Sequence, residues 1–207
     1  LGKTFIGGEV LREVAEDKRQ RALLICPAAL RDGTWARFQD RYQIYMECLS
    51  YEQFASDVQI IGSSGVNYLK AGLNEYSLVV IDESQAFRNP GIERAAALRK
   101  LLQGSPQKRL VLMTATPVNN SLWDLYYLLT YFIKQDAAFA HKGVVSLRKR
   151  FAQAQAEDPT TLKPDLLFDI LDEVTVRRTR NFVQKYYPND TIRAPGGEQV
   201  TIKFPRP

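Results

Sequence analysis

The chain has 207 residues, of which 45% are hydrophobic, 25% charged and 11% aromatic. That profile is one of a folded domain and excludes a disordered or fibrous chain, and the longest apolar runs fall far short of the roughly 20 residues that a membrane-spanning helix needs. The net charge of +5 comes from 28 basic and 23 acidic residues; residues 1–140 hold 16 and 15 of them, a net of +1, and residues 141–207 hold 12 and 8, a net of +4, so the basicity sits in the C-terminal third.

The chain opens Leu1-Gly2-Lys3-Thr4, without the basic region and apolar stretch of a secretory signal peptide. Helical spacing runs from Thr4 to Ala15. Four apolar, β-branched segments then read as buried strands: Ala22 to Cys26, Ile44 to Leu49, Ser77 to Ile81 and Arg109 to Thr114. Between them lie helical patterns around Trp35 to Arg41, Val66 to Ala71 and Ile92 to Leu102. Strand and helix alternate, which predicts an α/β fold with a parallel sheet and helices on both faces. Cys26 and Cys48 fall within strand patterns and are expected as small buried hydrophobes rather than a disulfide, which fits a reducing cytoplasm.

After the fourth strand, Leu122, Leu125, Leu128, Leu129 and Phe132 recur at three- and four-residue steps and define an amphipathic helix. Tyr126, Tyr127, Tyr131 and Phe132 on it are expected to pack rather than to stack on bases. Residues 134–187 carry charged, helical segments broken at Glu157-Asp158-Pro159 and Lys163-Pro164, an all-helical appendage. Residues 188–207, with four prolines, two glycines and an alternating run from Gln199 to Phe204, read as a connector. His141 has no partner cluster, and no Cys/His set has metal-site spacing.

Three motifs carry chemistry. Gly2-Lys3-Thr4, leading into a helix, is the second half of a phosphate-binding loop: backbone N–H groups at a helix N-terminus cradle phosphate, Lys3 supplies a compact charge, and the Thr4 hydroxyl can coordinate Mg²⁺. The apolar run Leu78 to Ile81 ends in Asp82-Glu83, where Asp82 can hold Mg²⁺ through water and Glu83 can orient and deprotonate a water attacking the γ-phosphate. A third strand ends in Thr114-Ala115-Thr116-Pro117, whose hydroxyls can bond both toward the carboxylates and toward a bound polymer. Taken alone, Gly2-Lys3-Thr4 would also be met as an accidental match, Asp82-Glu83 as an N-capping acidic pair, and Thr114 and Thr116 as helix capping ahead of Pro117. Together, at three strand ends in this order, they fit a nucleotide-driven motor lobe.

This series resembles motifs I, II and III of the superfamily-two helicase-like ATPases, and finer features are similar to the Swi/Snf (sucrose non-fermenting) family, in a prokaryotic member. Leu24-Ile25-Cys26-Pro27-Ala28-Ala29-Leu30 followed by Trp35 looks like that family's motif Ia, and Leu49-Ser50-Tyr51-Glu52 its motif Ib. Phe87-Arg88-Asn89 matches the extension after motif II, Thr116 to Asn120 with the following helix the long motif III, and Val176-Arg177-Arg178-Thr179 the paired-arginine element. The resemblance implies a first RecA-like lobe over residues 1–133, a helical protrusion over 134–187, and a connector over 188–207 toward a second lobe. It implies ATP and Mg²⁺ as cofactors, with Gly2, Lys3 and Thr4 binding nucleotide, Asp82, Glu83 and Gln85 in catalysis, and Thr114, Ala115 and Thr116 coupling.

The same resemblance implies sequence-independent contacts to the backbone of double-stranded DNA from Pro27, Ala28, Ala29, Leu30, Ser50, Tyr51, Asn119 and Asn120, and a lobe-interface or DNA role for Arg177 and Arg178. The implied function is translocation on duplex DNA without strand separation, in a cytoplasmic or nucleoid-associated protein and within a larger complex. Two alternatives stand beside it: the RNA-polymerase-associated branch of the family, and a catalytically silent scaffold. Gln85 stands where the family has His, Asn119 where it has Gln, and Ser121 where it has Asn. The start of the phosphate loop and the second lobe, with its arginine finger, are not among these residues, so the chain alone is expected to fold but not to turn over ATP.

Overall fold

The apolar runs form a wholly parallel four-stranded sheet in the computed structural model, which describes residues 2–44, 46–57, 72–103, 105–157, 165–176, 191–193 and 199–201. Its strands are β1 (Arg21–Cys26), β2 (Glu47–Ser50), β3 (Tyr76–Ile81) and β4 (Arg109–Leu112), in the order β2-β1-β3-β4. Leu24 pairs with Cys48 on one side and Val80 on the other, and Val80 pairs in turn with Val111. The two central strands are buried almost throughout, which is why they read as continuous hydrophobic runs without polar alternation.

The two-residue period of a strand divides these runs between two cores. Leu23, Ile25, Val79 and Ile81 face one side, against Phe54, Phe87, Leu98, Leu101 and Leu128. Ala22, Leu24, Cys26, Leu78 and Val80 face the other, against Leu11, Val14, Trp35 and Phe38. The second core is roofed by α1 (Lys3–Arg12), which continues through one wider helical turn to Asp17, and by α2 (Ala28–Leu30) and α3 (Ala36–Tyr42), joined into one helical run by a wide turn over Arg31–Trp35. The first core is covered by α4 (Tyr51–Ala55), α5 (Glu93–Gln103) and α6 (Leu122–Leu129).

Most expected elements are present, with shifts at their ends. The second strand starts at Glu47 rather than Ile44, because Gln43 in the left-handed region (φ 52) terminates α3 and Ile44 is still in the connection, although buried. The fourth ends at Leu112: Met113 still donates to Ile81 O at 2.8 Å, but Thr114 has left the sheet. The helix at Ala28–Leu30 begins earlier than the pattern at Trp35 suggests, and the expected helix over Val66 to Ala71 lies outside the described residues. Cys26 and Cys48 are free thiols with Sγ atoms 3.6 Å apart. No helix among the described residues is long and apolar enough to cross a membrane.

Residues 2–167 form one compact unit and residues 168–207 a second. The larger unit includes α7 (Leu147–Ala156), capped by the Ser146 side chain and packed on α6 through an edge-to-face contact of Tyr126 with Phe151, 5.5 Å between centroids. Helix α8 (Asp165–Val174) begins in the larger unit and ends in the smaller. The smaller unit also holds β5 (Thr191–Arg193) and β6 (Gln199–Thr201), an antiparallel pair in which Ile192 faces Val200. The stretch read as a connector therefore contains a short two-stranded sheet.

Two adjacent glycines in α1 differ in what they tolerate. A Cβ on Gly8 would overlap the ring of Phe38, a buried aromatic packed edge-on to Trp35, whereas one on Gly7 would meet mainly the mobile end of the Met113 side chain. Alanine gains about 1 kcal/mol over glycine in a helix interior, while overpacking costs about 1–3 kcal/mol. Gly8→Ala is therefore expected to lower the denaturation midpoint and Gly7→Ala to leave it level or raise it, which parallel urea titrations would check.

Candidate active site

The C-terminal ends of β1, β3 and β4 come together, the edge where an open parallel sheet binds ligands. Ladder bonds continue just past β3: Asp82 N donates to Ile25 O at 2.9 Å, and Ser84 N donates to Met113 O at 2.9 Å. They pin the acidic pair between its neighbouring strands. The buried Asp82 carboxylate accepts from Glu83 N at 2.9 Å through Oδ1 and from the Trp35 indole N–H at 3.0 Å through Oδ2. Glu83 then adopts a left-handed backbone (φ 50, ψ 48) and opens a 3₁₀ turn over Ser84–Phe87. A non-glycine residue in this region is uncommon and marks a constraint imposed by its surroundings.

From that turn the Glu83 carboxylate reaches the start of α1. Lys3 Nζ donates to Glu83 Oε1 at 2.8 Å, and Gln85 Nε2 donates to Glu83 Oε2 at 2.8 Å. Thr114 Oγ1 donates to Gln85 Oε1 at 2.7 Å, and Thr116 N donates to Thr114 Oγ1 at 3.0 Å. One continuous line of hydrogen bonds thus joins Lys3, Glu83, Gln85, Thr114 and Thr116. Burial raises the Glu83 carboxyl, but hydrogen bonds from Lys3 and Gln85 and the Lys3 charge outweigh it and hold the group below its ordinary range. Ser84 is fully buried, and its hydroxyl has no hydrogen-bond partner among the described residues.

The start of α1 suits a phosphate. Gly2 caps the helix in a left-handed conformation (φ 73) with no side-chain hydrogen bond, and the space around its missing Cβ is open. The first-turn N–H groups of this ten-residue helix have no side-chain acceptor at the cap, beside Lys3 and the half-buried Thr4. No group of three or more His, Cys, Asp or Glu side chains suited to a metal exists among the described residues. Of the two residues expected to hold Mg²⁺, Thr4 is half-buried and Asp82 is buried with each carboxylate oxygen accepting one hydrogen bond.

Residues expected to meet DNA divide into two groups. Ala28, Ala29, Asn119 and Asn120 are exposed, and Pro27 and Leu30 half-buried; the coupling residues Ala115 and Thr116, in the segment after β4, are exposed as well. Ser50 and Tyr51 are buried. The Ser50 hydroxyl caps α4 by accepting from Gln53 N at 3.2 Å while the Gln53 side chain accepts from Ser50 N at 2.9 Å. The Tyr51 hydroxyl donates to Asp82 O at 2.5 Å and Glu83 O at 2.9 Å. Tyr51 is thus an internal brace, its phenol turned toward the acidic motif. Arg177 and Arg178 lie outside the described residues.

Trp35 and Tyr51 lie in the stretches that resemble motifs Ia and Ib, but nothing there marks one as a donor to Asp82 or the other as a brace, and Asp124 carries no role in the motifs. Asp124 Oδ2 accepts from the backbone N–H groups of Asn119 and Asn120, both at 3.0 Å, with Arg88 Nε 3.7 Å away. Burial raises the Asp124 carboxyl, but the backbone donors of Asn120 and Asn119 and the Arg88 charge prevail and lower it. An acidic residue in the first turn of α6 is the visible hint.

A family model described as the SNF2-related domain matches residues 38–194. The "Uncharacterized ATP-dependent helicase YqhH" of Bacillus subtilis (strain 168) is 23% identical over 216 residues, covering 97% of this chain and 36% of that protein. The "Helicase-like transcription factor" of Mus musculus is 30% identical over 105 residues, 51% of this chain and 9% of that protein. The "Probable ATP-dependent DNA helicase CHR12" of Arabidopsis thaliana is 27% identical over 129 residues, 56% of this chain and 11% of that protein. The chain therefore spans little more than a third, or less, of each of these relatives. Among solved structures, the Sulfolobus solfataricus SWI2/SNF2 ATPase core in complex with dsDNA matches with a TM-score of 0.59 and 20% identity, over 87% of this chain and 38% of that one. That likeness is one of fold, a RecA-like parallel sheet with helices on both faces.

Proposed function

The chain belongs to the SNF2-related domain family, and on that premise we propose that it is the first motor lobe of an ATP-dependent translocase that moves along double-stranded DNA. The observation that carries the reading is the unbroken line from Lys3 through Glu83, Gln85 and Thr114 to Thr116. It runs from the residue that would touch the nucleotide to the segment that would touch DNA. Gln85 takes the place of the family's usual His and still serves both neighbours, as a donor to Glu83 and an acceptor from Thr114.

In this reading the start of α1 and Lys3 bind the triphosphate, and Thr4 and Asp82 hold magnesium. Bound Mg²⁺ would neutralise charge on the phosphoryl group in transfer. Glu83, ionised and aimed by its left-handed turn, accepts the proton of the attacking water at its carboxylate. Lys3 is paired to that same carboxylate, so a phosphate bound at Lys3 competes with Glu83 for the ammonium group. Trp35 keeps Asp82 in place. Ala28, Ala29, Asn119 and Asn120 meet the phosphate backbone, a sequence-tolerant and steeply salt-dependent interaction. The helices from residue 134 onward are the protrusion, and a second RecA-like lobe completes the cleft.

A silent scaffold is disfavoured because Lys3, Asp82 and Glu83 are all present and the first and last are engaged with one another. The test of the coupling is Thr114→Ala in the full-length protein. Removing that hydroxyl is expected to lower DNA-stimulated ATP hydrolysis about tenfold, the scale of one hydrogen bond, while ATP affinity holds. Unchanged stimulation by DNA would refute the relay.

A further inference from the structure

We propose that Tyr51 is a positioning residue for Glu83, acting through the main chain of Asp82 and Glu83. The proposal rests on the reading of Glu83 as the residue that takes up the proton of water. Tyr51 opens α4 directly after β2, two strands away from β3 in the sheet. Its ring is fixed from two sides: Phe87 packs edge-on at 5.4 Å between centroids, and the Arg94 guanidinium lies 5.4 Å from the ring centroid. So held, the phenol shares its single O–H between the carbonyls of Asp82 and Glu83, at 2.5 and 2.9 Å.

Those two carbonyls lie just beyond β3, where the turn leaves the sheet. Between them sits the left-handed backbone of Glu83, a conformation that a side chain with a Cβ keeps only when its neighbours over-determine it. The flanking N–H groups are held by Ile25 O, Met113 O and Asp82 Oδ1, and the Tyr51 hydroxyl adds the hold on the two carbonyls. Without it the turn keeps its N–H bonds but loses the hold on its carbonyls, which is expected to let the carboxylate shift from Lys3 and Gln85. Burial raises the Tyr51 hydroxyl above its ordinary range, so it remains a donor at any working pH. The segment from Ser50 onward is also the one that resembles a DNA-contacting motif, so a shift of β2 and α4 on DNA would reach Glu83 through this phenol.

The test is Tyr51→Phe in the full-length protein, with Glu83→Gln measured alongside. At saturating ATP and duplex DNA, kcat is expected to fall about tenfold, with KM for ATP and Kd for DNA within about twofold of wild type. Amide hydrogen exchange should speed up in the segment 82–88 and stay unchanged in β1 and α5. Unchanged kcat with unchanged exchange would overturn the proposal. So would a weakened Kd for DNA with normal kcat at saturation, which would make Tyr51 a DNA contact, and so would exchange rising evenly over the whole sheet, which would make it only a core residue. Full activity in Glu83→Gln would instead remove the catalytic reading, and the exchange result would still decide whether Tyr51 holds the turn.

Discussion

Replacing Glu83 by glutamine is expected to reduce the rate of ATP hydrolysis by about two to four orders of magnitude, the usual contribution of a general base, while nucleotide binding survives. The amide is nearly isosteric and its oxygen can still accept from Lys3, so the change removes the charge and the proton acceptor with little loss of shape. Binding measured by calorimetry and turnover measured separately would tell the two apart. The pH dependence has a definite sign. Because Lys3 and Gln85 hold the folded carboxyl below its ordinary value of 4.5, the ionised, base-competent form is complete at neutral pH and is lost only as pH falls through that lowered value. In the profile of kcat/KM, which reports the enzyme before phosphate competes for Lys3, the limb that belongs to this group therefore lies on the acid side of 4.5, and a limb near neutrality would have to come from another group.

The largest effect on stability is expected at Trp35. Its indole is fully buried against Leu24, Phe38 and Val80, and its N–H donates to the buried carboxylate of Asp82. Truncation of a core aromatic to alanine costs about 3–5 kcal/mol, and an ion-bearing acceptor left without its donor adds about 1–3 kcal/mol. Against a total of about 5–15 kcal/mol for a typical domain, Trp35→Ala is expected to bring the protein close to unfolded at ambient temperature. Trp35→Phe restores most of the volume but not the N–H, and should recover most of the loss. Denaturant midpoints of the two variants would separate packing from the hydrogen bond; equal losses would mean that the bond to Asp82 dominates.

The parts of this molecule that could be read from its sequence are those governed by one-dimensional patterns. β1 and β3 are central strands, so both faces are buried and the code is a simple apolar run. The site carboxylates were legible because a strand that ends in Asp82-Glu83 must place them at the ligand-binding edge. What could not be read is set by pairs distant in sequence. Trp35 and Asp82 are 47 residues apart, and Tyr51 and Asp82 are 31 apart. Nothing in the local pattern distinguishes a tyrosine that reaches DNA from one that turns inward to two carbonyls. Ser50 is similar: its spacing from Gln53 is that of a capping box, which claims the hydroxyl for α4. Boundaries slipped where a single backbone angle intervened, as at Gln43, whose left-handed conformation delays β2 to Glu47.

Hydrolysis of ATP by the full-length protein, measured with and without duplex DNA over a range of salt concentrations, is the most direct test of a lobe that couples the two ligands. The line from Lys3 to Thr116 predicts hydrolysis that rises on addition of DNA and loses that stimulation steeply as salt increases. Hydrolysis indifferent to DNA at every salt concentration, or no binding of ATP at all, would contradict it.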